Sequence, residues 1–242
     1  VTKGALPLTM ASLSEAPIIG ILSHTGFQDA ADGASHQALS YAAMLSSIPY
    51  VDVYNLSCSE EAHQLVVQAI ESFQAQLLKK EVPRSKIFFL GRENFPKNYG
   101  NSTFKLGQPQ IVAENLKTKN VTIVASGSTV PSAVAAAQIL DKENIGNVVV
   151  NQSQLNKFDA EFFVTVLKKT QGNWIIVEDH QKIGGLGQAL QSFLNENRIP
   201  NHVIHLGVSG EFGQSAYTAE ELYQKHGMSA DHIVKAARKL VL

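Results

Sequence analysis

Short apolar runs alternate along the chain with longer stretches in which apolar residues recur every three or four positions. In the first part of the chain, three apolar runs predict buried strands over residues 16–23, 50–56 and 86–91. Between the last two runs, Leu65, Ala69 and Phe73 recur at helical spacing, which predicts a helix over residues 59–80. Ser59 stands at the start of that helix and is the predicted N-cap.

Both patterns weaken between residues 93 and 119, where proline, glycine and asparagine interrupt the chain. We interpret this stretch as an irregular connection between two consecutive domains. The predicted boundary gives a first domain over residues 1–110 and a second domain over residues 111–242.

A second alternation follows and runs to the C-terminus. Strands are predicted over residues 120–127, 147–152, 173–179 and 202–208. Helices are predicted over residues 128–140, 159–170, 184–197, 218–227 and 229–242. Ser128 and Ser229 are predicted N-caps, and Gly227 is predicted to follow the end of a helix. The alternation predicts an α/β fold of two consecutive domains with mostly parallel sheets covered by helices.

Composition and charge narrow the classes of function. Hydrophobic residues make up 44% of the 242, which is enough for a core. A net charge of −1 gives no general attraction to nucleic acid or to an anionic membrane. The apolar runs are far shorter than the ~20 residues of a transmembrane helix. The single cysteine, Cys58, has no partner for an internal disulfide, so we expect an inert thiol in a reducing, cytoplasmic compartment.

The stretch HTGFQDAADGASHQ, residues 24–37, places two histidines and two aspartates among glycine and alanine residues. It follows a predicted strand, and ligands of open α/β sheets bind where strands end. A helix is predicted to begin near Ser35, which puts His36 in a first turn where the helix dipole disfavours the imidazolium. A neutral histidine there suits hydrogen bonding or proton transfer. The stretch is therefore a candidate ligand loop, with a simple turn as the alternative.

Four motifs, in this order along the chain, resemble those of transketolases. They are DGASHQ at residues 32–37, FFLGREN at 88–94, EDHQKIGGLG at 178–187 and EFGQS at 211–215. The resemblance covers nearly the whole chain and implies the later part of a pyrimidine-binding domain followed by a transketolase C-terminal domain. Two features of the family are missing from the sequence: the G-D-G motif that binds the cofactor's diphosphate and metal, and the glutamate that activates the cofactor.

The resemblance implies roles for four residues. His24 and Arg92 match residues that contact the phosphate end of the sugar. Asp32 matches an aspartate that binds a sugar hydroxyl, and His36 matches a histidine near the reacting carbon and the cofactor. The loop TGFQDAADGAS replaces the family's common DSIGVGEDGPT, and GRE replaces SRQ. These departures affect the expected shape of the loop and the preference for substrate.

The resemblance implies thiamine-dependent transfer of a two-carbon ketol unit between sugar phosphates. Thiamine pyrophosphate and a divalent metal such as magnesium would serve the complete enzyme, whereas we expect this chain alone to bind no cofactor and to be inactive. The expected partners are sugar phosphates, the missing N-terminal section or subunit, and further copies in a homo-oligomer such as a dimer. No nucleic acid and no membrane are expected as partners. The missing part is either a separate subunit or a removed portion of one chain.

Two other interpretations of the function stay open. A related thiamine enzyme, such as deoxyxylulose phosphate synthase, shares a loop of the D-G-x-T-H-Q type, although the C-terminal stretch EFGQSAYTAEELYQKHG fits transketolase better. The other alternative is a non-catalytic assembly module, which the missing cofactor domain favours. The presence of all four sugar-binding residues argues against that alternative.

Glu178, Asp179 and His180 stand in a row and raise the question of a metal site. Consecutive residues of an extended chain point to opposite faces, so we predict a structural turn from strand to helix instead. His202 and His205 flank a predicted strand and are expected at the surface or at an interface.

Overall fold

A computed structural model describes residues 4–241. Its strands form two sheets of three and five strands. The strands pair in parallel, except that β4 and β6 are antiparallel. This architecture confirms the predicted α/β class with mostly parallel sheets.

The first sheet has the strand order β1–β3–β2. Its strands are β1 (Ile19–Leu22), β2 (Val51–Asn55) and β3 (Ser85–Phe89). The helices of this part are α1 (Ala5–Leu13), α2 (Tyr41–Ser46) and α3 (Ser59–Leu78). The three strands and α3 confirm the elements predicted from the apolar pattern, whereas α1 is an element that the pattern does not predict.

The second sheet has the order β4–β6–β5–β7–β8. Its strands are β4 (Gln110–Asn115), β5 (Asn120–Ala125), β6 (Gly146–Asn151), β7 (Asn173–Gln181) and β8 (His202–Val208). Its helices are α4 (Val130–Lys142), α5 (Ala160–Lys169), α6 (Leu186–Glu196), α7 (Ala219–Lys225) and α8 (Ala230–Val241). These elements confirm the second predicted alternation.

Strand β4 contradicts part of the predicted irregular connection over residues 93–119. Its short apolar run, Ile111–Ala113, pairs with the edge of β6, and that pairing is a tertiary contact with little local signal. The predicted domain boundary between residues 110 and 111 falls at the start of this strand and stays a prediction.

The core lies on both faces of the second sheet. On one face, Ile175 and Val177 of β7 pack in a cluster with Leu140 of α4 and Ile233 of α8. Trp174 and Ile176 point to the other face and pack with buried residues of α5 and α6. Full burial of one such aliphatic side chain stabilises a fold by about 1.5–3 kcal/mol. The continuous apolar run of β7 is therefore what a parallel strand covered on both faces requires.

Two predicted helix caps are wrong. Cys58, not Ser59, is the N-cap of α3, and its Sγ accepts from the backbone N–H of Glu61 at 3.4 Å. Ser128 lies in a 3₁₀ turn that precedes α4, and its hydroxyl donates to Asp179 at 2.9 Å. In α3 the neighbouring residue Cys58 provides the cap, and before α4 the hydroxyl of Ser128 is used by the distant Asp179. The position of a serine in the sequence is therefore not enough to identify an N-cap.

The outer edge of β2 is covered by chain that follows β6 of the second sheet. The backbone N–H of Asn55 donates to the carbonyl of Ser153 at 2.8 Å. The N–H of Leu155 donates to the carbonyl of Val53, also at 2.8 Å. Residues 153–155 therefore extend the first sheet, and backbone hydrogen bonds join the two halves of the molecule.

A buried carboxylate lies at the same junction. Oε2 of Glu61, in α3, accepts from the backbone N–H and the hydroxyl of Ser57, at 2.6 Å each. Oε1 accepts from Asn151 Nδ2 at 2.8 Å and from the hydroxyl of Ser153. Burial raises the pKa of Glu61 above its ordinary value. The four hydrogen bonds tie α3 and the end of β2 to the end of β6.

Candidate functional site

The loop that follows β1 is anchored by Asp179, which lies near the end of β7 in the other sheet. The buried Asp179 carboxylate accepts from the backbone N–H of Phe27 at 2.9 and 3.0 Å. It also accepts from the hydroxyls of Ser128 at 2.9 Å and of Tyr223 at 2.8 Å. Gly26 has a φ of +60°, and a Cβ there would overlap the Asp179 carboxylate. The glycine therefore lets the loop approach close enough to form these hydrogen bonds.

Because Asp179 is buried, its pKa is raised to about 6. The Asp179 carboxyl group therefore binds its proton more tightly in the folded protein than in the unfolded chain, where an aspartate has a pKa near 3.9. Proton binding by Asp179 stabilises the folded state fully below about pH 4, and this contribution is lost as the pH rises through 6. We expect the unfolding free energy of the wild type, relative to Asp179→Asn, to fall by roughly 2 to 3 kcal/mol between about pH 4 and pH 7.

Urea unfolding of both proteins at matched pH values measures this difference, because titrations elsewhere in the chain cancel in the subtraction. A relative stability that stays flat or rises over the same range would contradict the raised pKa.

A polar cluster forms between the loop and the end of β3. Arg92 Nη1 donates to Oδ1 of Asp29, and it donates to Oδ2 of Asp32 at 3.1 Å. His24 Nε2 lies 3.5 Å from Oδ2 of Asp29. The hydrogen bond to Asp29 is the main cause that raises the pKa of the Arg92 guanidinium above its ordinary value. Three of the four predicted site residues thus surround one buried aspartate.

His36, the fourth predicted residue, lies apart from this cluster. Its side chain is exposed, and its Nδ1 lies 3.0 Å from the hydroxyl of Ser35. The predicted helix start near Ser35 is wrong, because residues 33–36 form a turn and α2 begins only at Tyr41. No helix therefore starts at His36, and the expected effect of a helix dipole on this residue does not arise.

Two residues that shape this site, Asp29 and Asp179, are not among those predicted from the sequence. Asp29 is the centre of the polar cluster, and its only signal in the sequence is its place in a loop that already carries Asp32. Asp179 reaches the loop from more than a hundred positions away along the chain. Its only signal in the sequence is that an acidic residue follows an apolar run, and Glu178 has the same signal.

Glu178, Asp179 and His180 all lie in strand β7, so the predicted turn from strand to helix begins only after Gln181. Glu178 accepts from the backbone N–H groups of Leu186 at 2.7 Å and Gly187 at 3.0 Å, so its carboxylate caps the start of α6. Within residues 4–241, no group of three histidine, cysteine or acidic side chains is placed to hold a metal ion. His205, expected at the surface or at an interface, has a largely buried side chain whose Nε2 lies 2.5 Å from Oε1 of Glu178.

The Cys58 thiol is buried, and burial raises its pKa to about 11, which agrees with the expected inert thiol.

Across residues 4–241, none of the helices combines the length and the apolar character needed to cross a membrane.

A cleft of about 360 Å³ lies between α2 and the carboxyl ends of β5 and β7. Asn55, Ser126 and His180 are among its polar lining residues, and none of the four predicted site residues lines it. The polar cluster and the cleft are therefore separate features of the junction between the two sheets.

Comparison with protein families gives two matches. The pyrimidine binding domain of transketolase matches residues 7–80, and the transketolase C-terminal domain matches residues 112–233. Transketolase-like protein 2 of Homo sapiens is 30% identical over 97% of this chain and 36% of its own length. The putative transketolase C-terminal section of Methanocaldococcus jannaschii is 28% identical over 89% of this chain and 63% of its own length. The chain thus spans only part of the length of these relatives.

Two solved structures are similar over 96% of the chain. A split gene transketolase, described as an inactive beta4 tetramer, superposes with a TM-score of 0.73 at 26% identity, over 73% of that chain. Transketolase from Leishmania mexicana superposes with a TM-score of 0.72 at 25% identity, over 31% of that chain.

Proposed function

The chain belongs to the transketolase family, and we propose that it supplies the sugar-binding wall of an enzyme that transfers a two-carbon ketol unit between sugar phosphates. The observation that carries this proposal is the cluster of His24, Asp32 and Arg92 around Asp29 at the carboxyl ends of β1 and β3. Ligands of α/β sheets bind at such strand ends.

The chemistry of each side chain suits its proposed role. The guanidinium of Arg92 presents a planar set of donors that matches a phosphate group. The half-exposed carboxylate of Asp32 is available to accept from sugar hydroxyls. His24 is placed to donate to the same end of the sugar, and the exposed imidazole of His36 is available for proton transfer.

Transketolases use thiamine pyrophosphate and a divalent metal. The described residues do not fit the diphosphate and metal end of that cofactor, because residues 4–241 contain no group of three histidine, cysteine or acidic side chains placed to hold a metal ion and the sequence lacks the G-D-G motif. We therefore place the cofactor in the complete enzyme and not in this chain alone, and we derive no step through it.

The proposed partner is the N-terminal section of the enzyme, as a separate subunit or as the rest of one polypeptide. The relatives described as a C-terminal section and as a split gene transketolase support this arrangement. Homo-oligomeric assembly and a cytoplasmic location remain part of the same proposal.

The two alternatives make different predictions for the complete protein. A deoxyxylulose phosphate synthase would release carbon dioxide from a keto acid donor, whereas a transketolase would move the ketol unit from a ketose phosphate. A non-catalytic module would do neither, and it would tolerate loss of the cluster residues. Ketol transfer by the complete enzyme, measured with a ketose phosphate donor and an aldose phosphate acceptor, is therefore the experiment that tests the proposed function.

Replacing Arg92 with alanine tests the phosphate contact within that enzyme. Loss of one charge-assisted hydrogen bond costs roughly 1.5–3 kcal/mol, so we expect kcat/KM to fall about 10- to 150-fold for phosphorylated donors. Unphosphorylated ketoses never make the contact and should lose little. Arg92→Lys should recover only part of the loss, because an ammonium lacks the planar set of donors.

Arg84→Ala is the matched control. Arg84 is also half-exposed and also forms an ion pair, with Asp52 at 2.7 Å, but it lies at the opposite end of the sheet. We expect it to leave the ratio of the two specificity constants unchanged. An equal loss on both donors in Arg92→Ala would make Arg92 a structural ion-pair partner.

A further inference from the structure

A buried negative charge lies between the two side chains proposed to hold the phosphate. The side chain of Asp29 is only 1% exposed. Its Oδ1 accepts from Arg92, and its Oδ2 has no hydrogen-bond partner within the described part of the chain. His24 Nε2 lies 3.5 Å from that Oδ2, a distance that suits an ion pair but not a hydrogen bond.

Arg92 is consequently not a free cation. The same nitrogen, Nη1, contacts both Asp29 and Asp32. With His24 neutral, the four side chains sum to a net charge of −1, from one guanidinium and two carboxylates. A phosphate dianion that approaches Arg92 meets this negative charge as well as the positive one.

The two carboxylates differ in how well water screens them. Half of the Asp32 side chain is exposed, so solvent and salt weaken its field. Asp29 is buried, and interactions of a buried charge are screened much less. The repulsion that an anion meets at this site therefore comes mainly from Asp29.

We propose that Asp29 is a specificity-determining residue, whose buried carboxylate weakens the binding of a phosphate dianion and favours a sugar phosphate in its singly charged form. The proposal rests on the proposed function, because it refines the substrate class of the same site. In the family's common loop DSIGVGEDGPT, aligned without a gap, the equivalent position is valine, so the charge is a feature of this chain.

The test is a titration of the chain with inorganic phosphate, followed by NMR at about pH 8, where the dianion predominates. Asp29→Asn keeps the shape of the side chain and an oxygen that accepts from Arg92, but it removes the charge. We expect it to bind phosphate at least about 10-fold more tightly than the wild type, since unit charges about 12 Å apart at an effective dielectric constant of about 20 already give that factor, and a shorter separation gives a larger one.

Asp32→Asn is the matched control, since it removes one charge from the same guanidinium at an exposed position. We expect it to tighten phosphate binding by less than about threefold. Asp29→Glu keeps the charge and should show no gain. The double variant Asp29→Asn with Arg92→Ala should lose the gain, which assigns the bound phosphate to this site.

Each other outcome overturns the proposal. Equal or weaker phosphate binding by Asp29→Asn, in a protein with an unchanged melting temperature, would make Asp29 a support for Arg92 only. A gain as large in Asp32→Asn would show that burial is irrelevant, and absence of phosphate binding in every variant would remove the site itself. Failure of the proposed function is seen separately, as absence of ketol transfer by the complete enzyme with any sugar donor.

Discussion

Replacing Glu61 with alanine is expected to lower the free energy of unfolding by about 3–5 kcal/mol, since each buried donor left without an acceptor costs about 1–3 kcal/mol. The substitution removes an acceptor that serves Ser57, Asn151 and Ser153. It leaves those donors buried without a partner and opens a cavity at the junction of the two sheets. Urea unfolding followed by circular dichroism measures the loss.

Glu60→Ala provides the matched control for this experiment. Glu60 precedes Glu61 in the first turn of α3, but its side chain is partly exposed and lies 3.9 Å from Lys97. Exposed pairs of this kind contribute about 0–1 kcal/mol. If Glu61→Ala cost no more than Glu60→Ala, the buried cluster would not hold the two halves of the molecule together.

Replacing His36 with alanine is expected to lower single-turnover ketol transfer by the complete enzyme about 100-fold or more, the usual contribution of a positioned acid–base group. His36 is exposed, and its Nδ1 faces Ser35. Its Nε2 makes no hydrogen bond or ion pair within residues 4–241, so this nitrogen is available to a substrate. Turnover should fall as well as affinity, because the family resemblance places this residue nearest the reacting carbon.

The control is His63→Ala, which removes another exposed histidine from α3 and should leave the rate unchanged. Added imidazole supplies a second readout, since it should restore part of the rate in His36→Ala. An unchanged single-turnover rate, or a loss that imidazole fails to rescue while KM alone rises, would assign His36 to binding and not to proton transfer.

The apolar pattern of the sequence predicts the architecture well because burial decides most of these elements. The run at residues 174–177 is apolar on both faces, and such a run is typical of a covered parallel strand. The apolar pattern fails where the local structure depends on pairing with a distant part of the chain. β4 forms because β6 offers an edge to it, and residues 33–36 stay a turn even though they carry a typical helix-start residue, Ser35.

The residues of the candidate site also differ in whether the sequence identifies them. Resemblance to a family identifies His24, Asp32 and Arg92 from local motifs, and the structure brings them together. It does not identify Asp29 or Asp179. The importance of Asp29 follows from its burial, and that of Asp179 from a contact with Phe27 in the other half of the chain. Neither property is visible in a stretch of sequence.

The covered edge of β2 has a consequence for the order of events during synthesis. The N-terminal sheet is translated first, yet the segment that pairs with its outer strand is residues 153–155. Until Leu155 has left the ribosome, a nascent chain presents the bare backbone of β2, and such an edge is a template for pairing with neighbouring chains. Slow elongation between β3 and β6 would therefore prolong an aggregation-prone interval, because the outer edge of β2 stays uncovered until residues 153–155 exist.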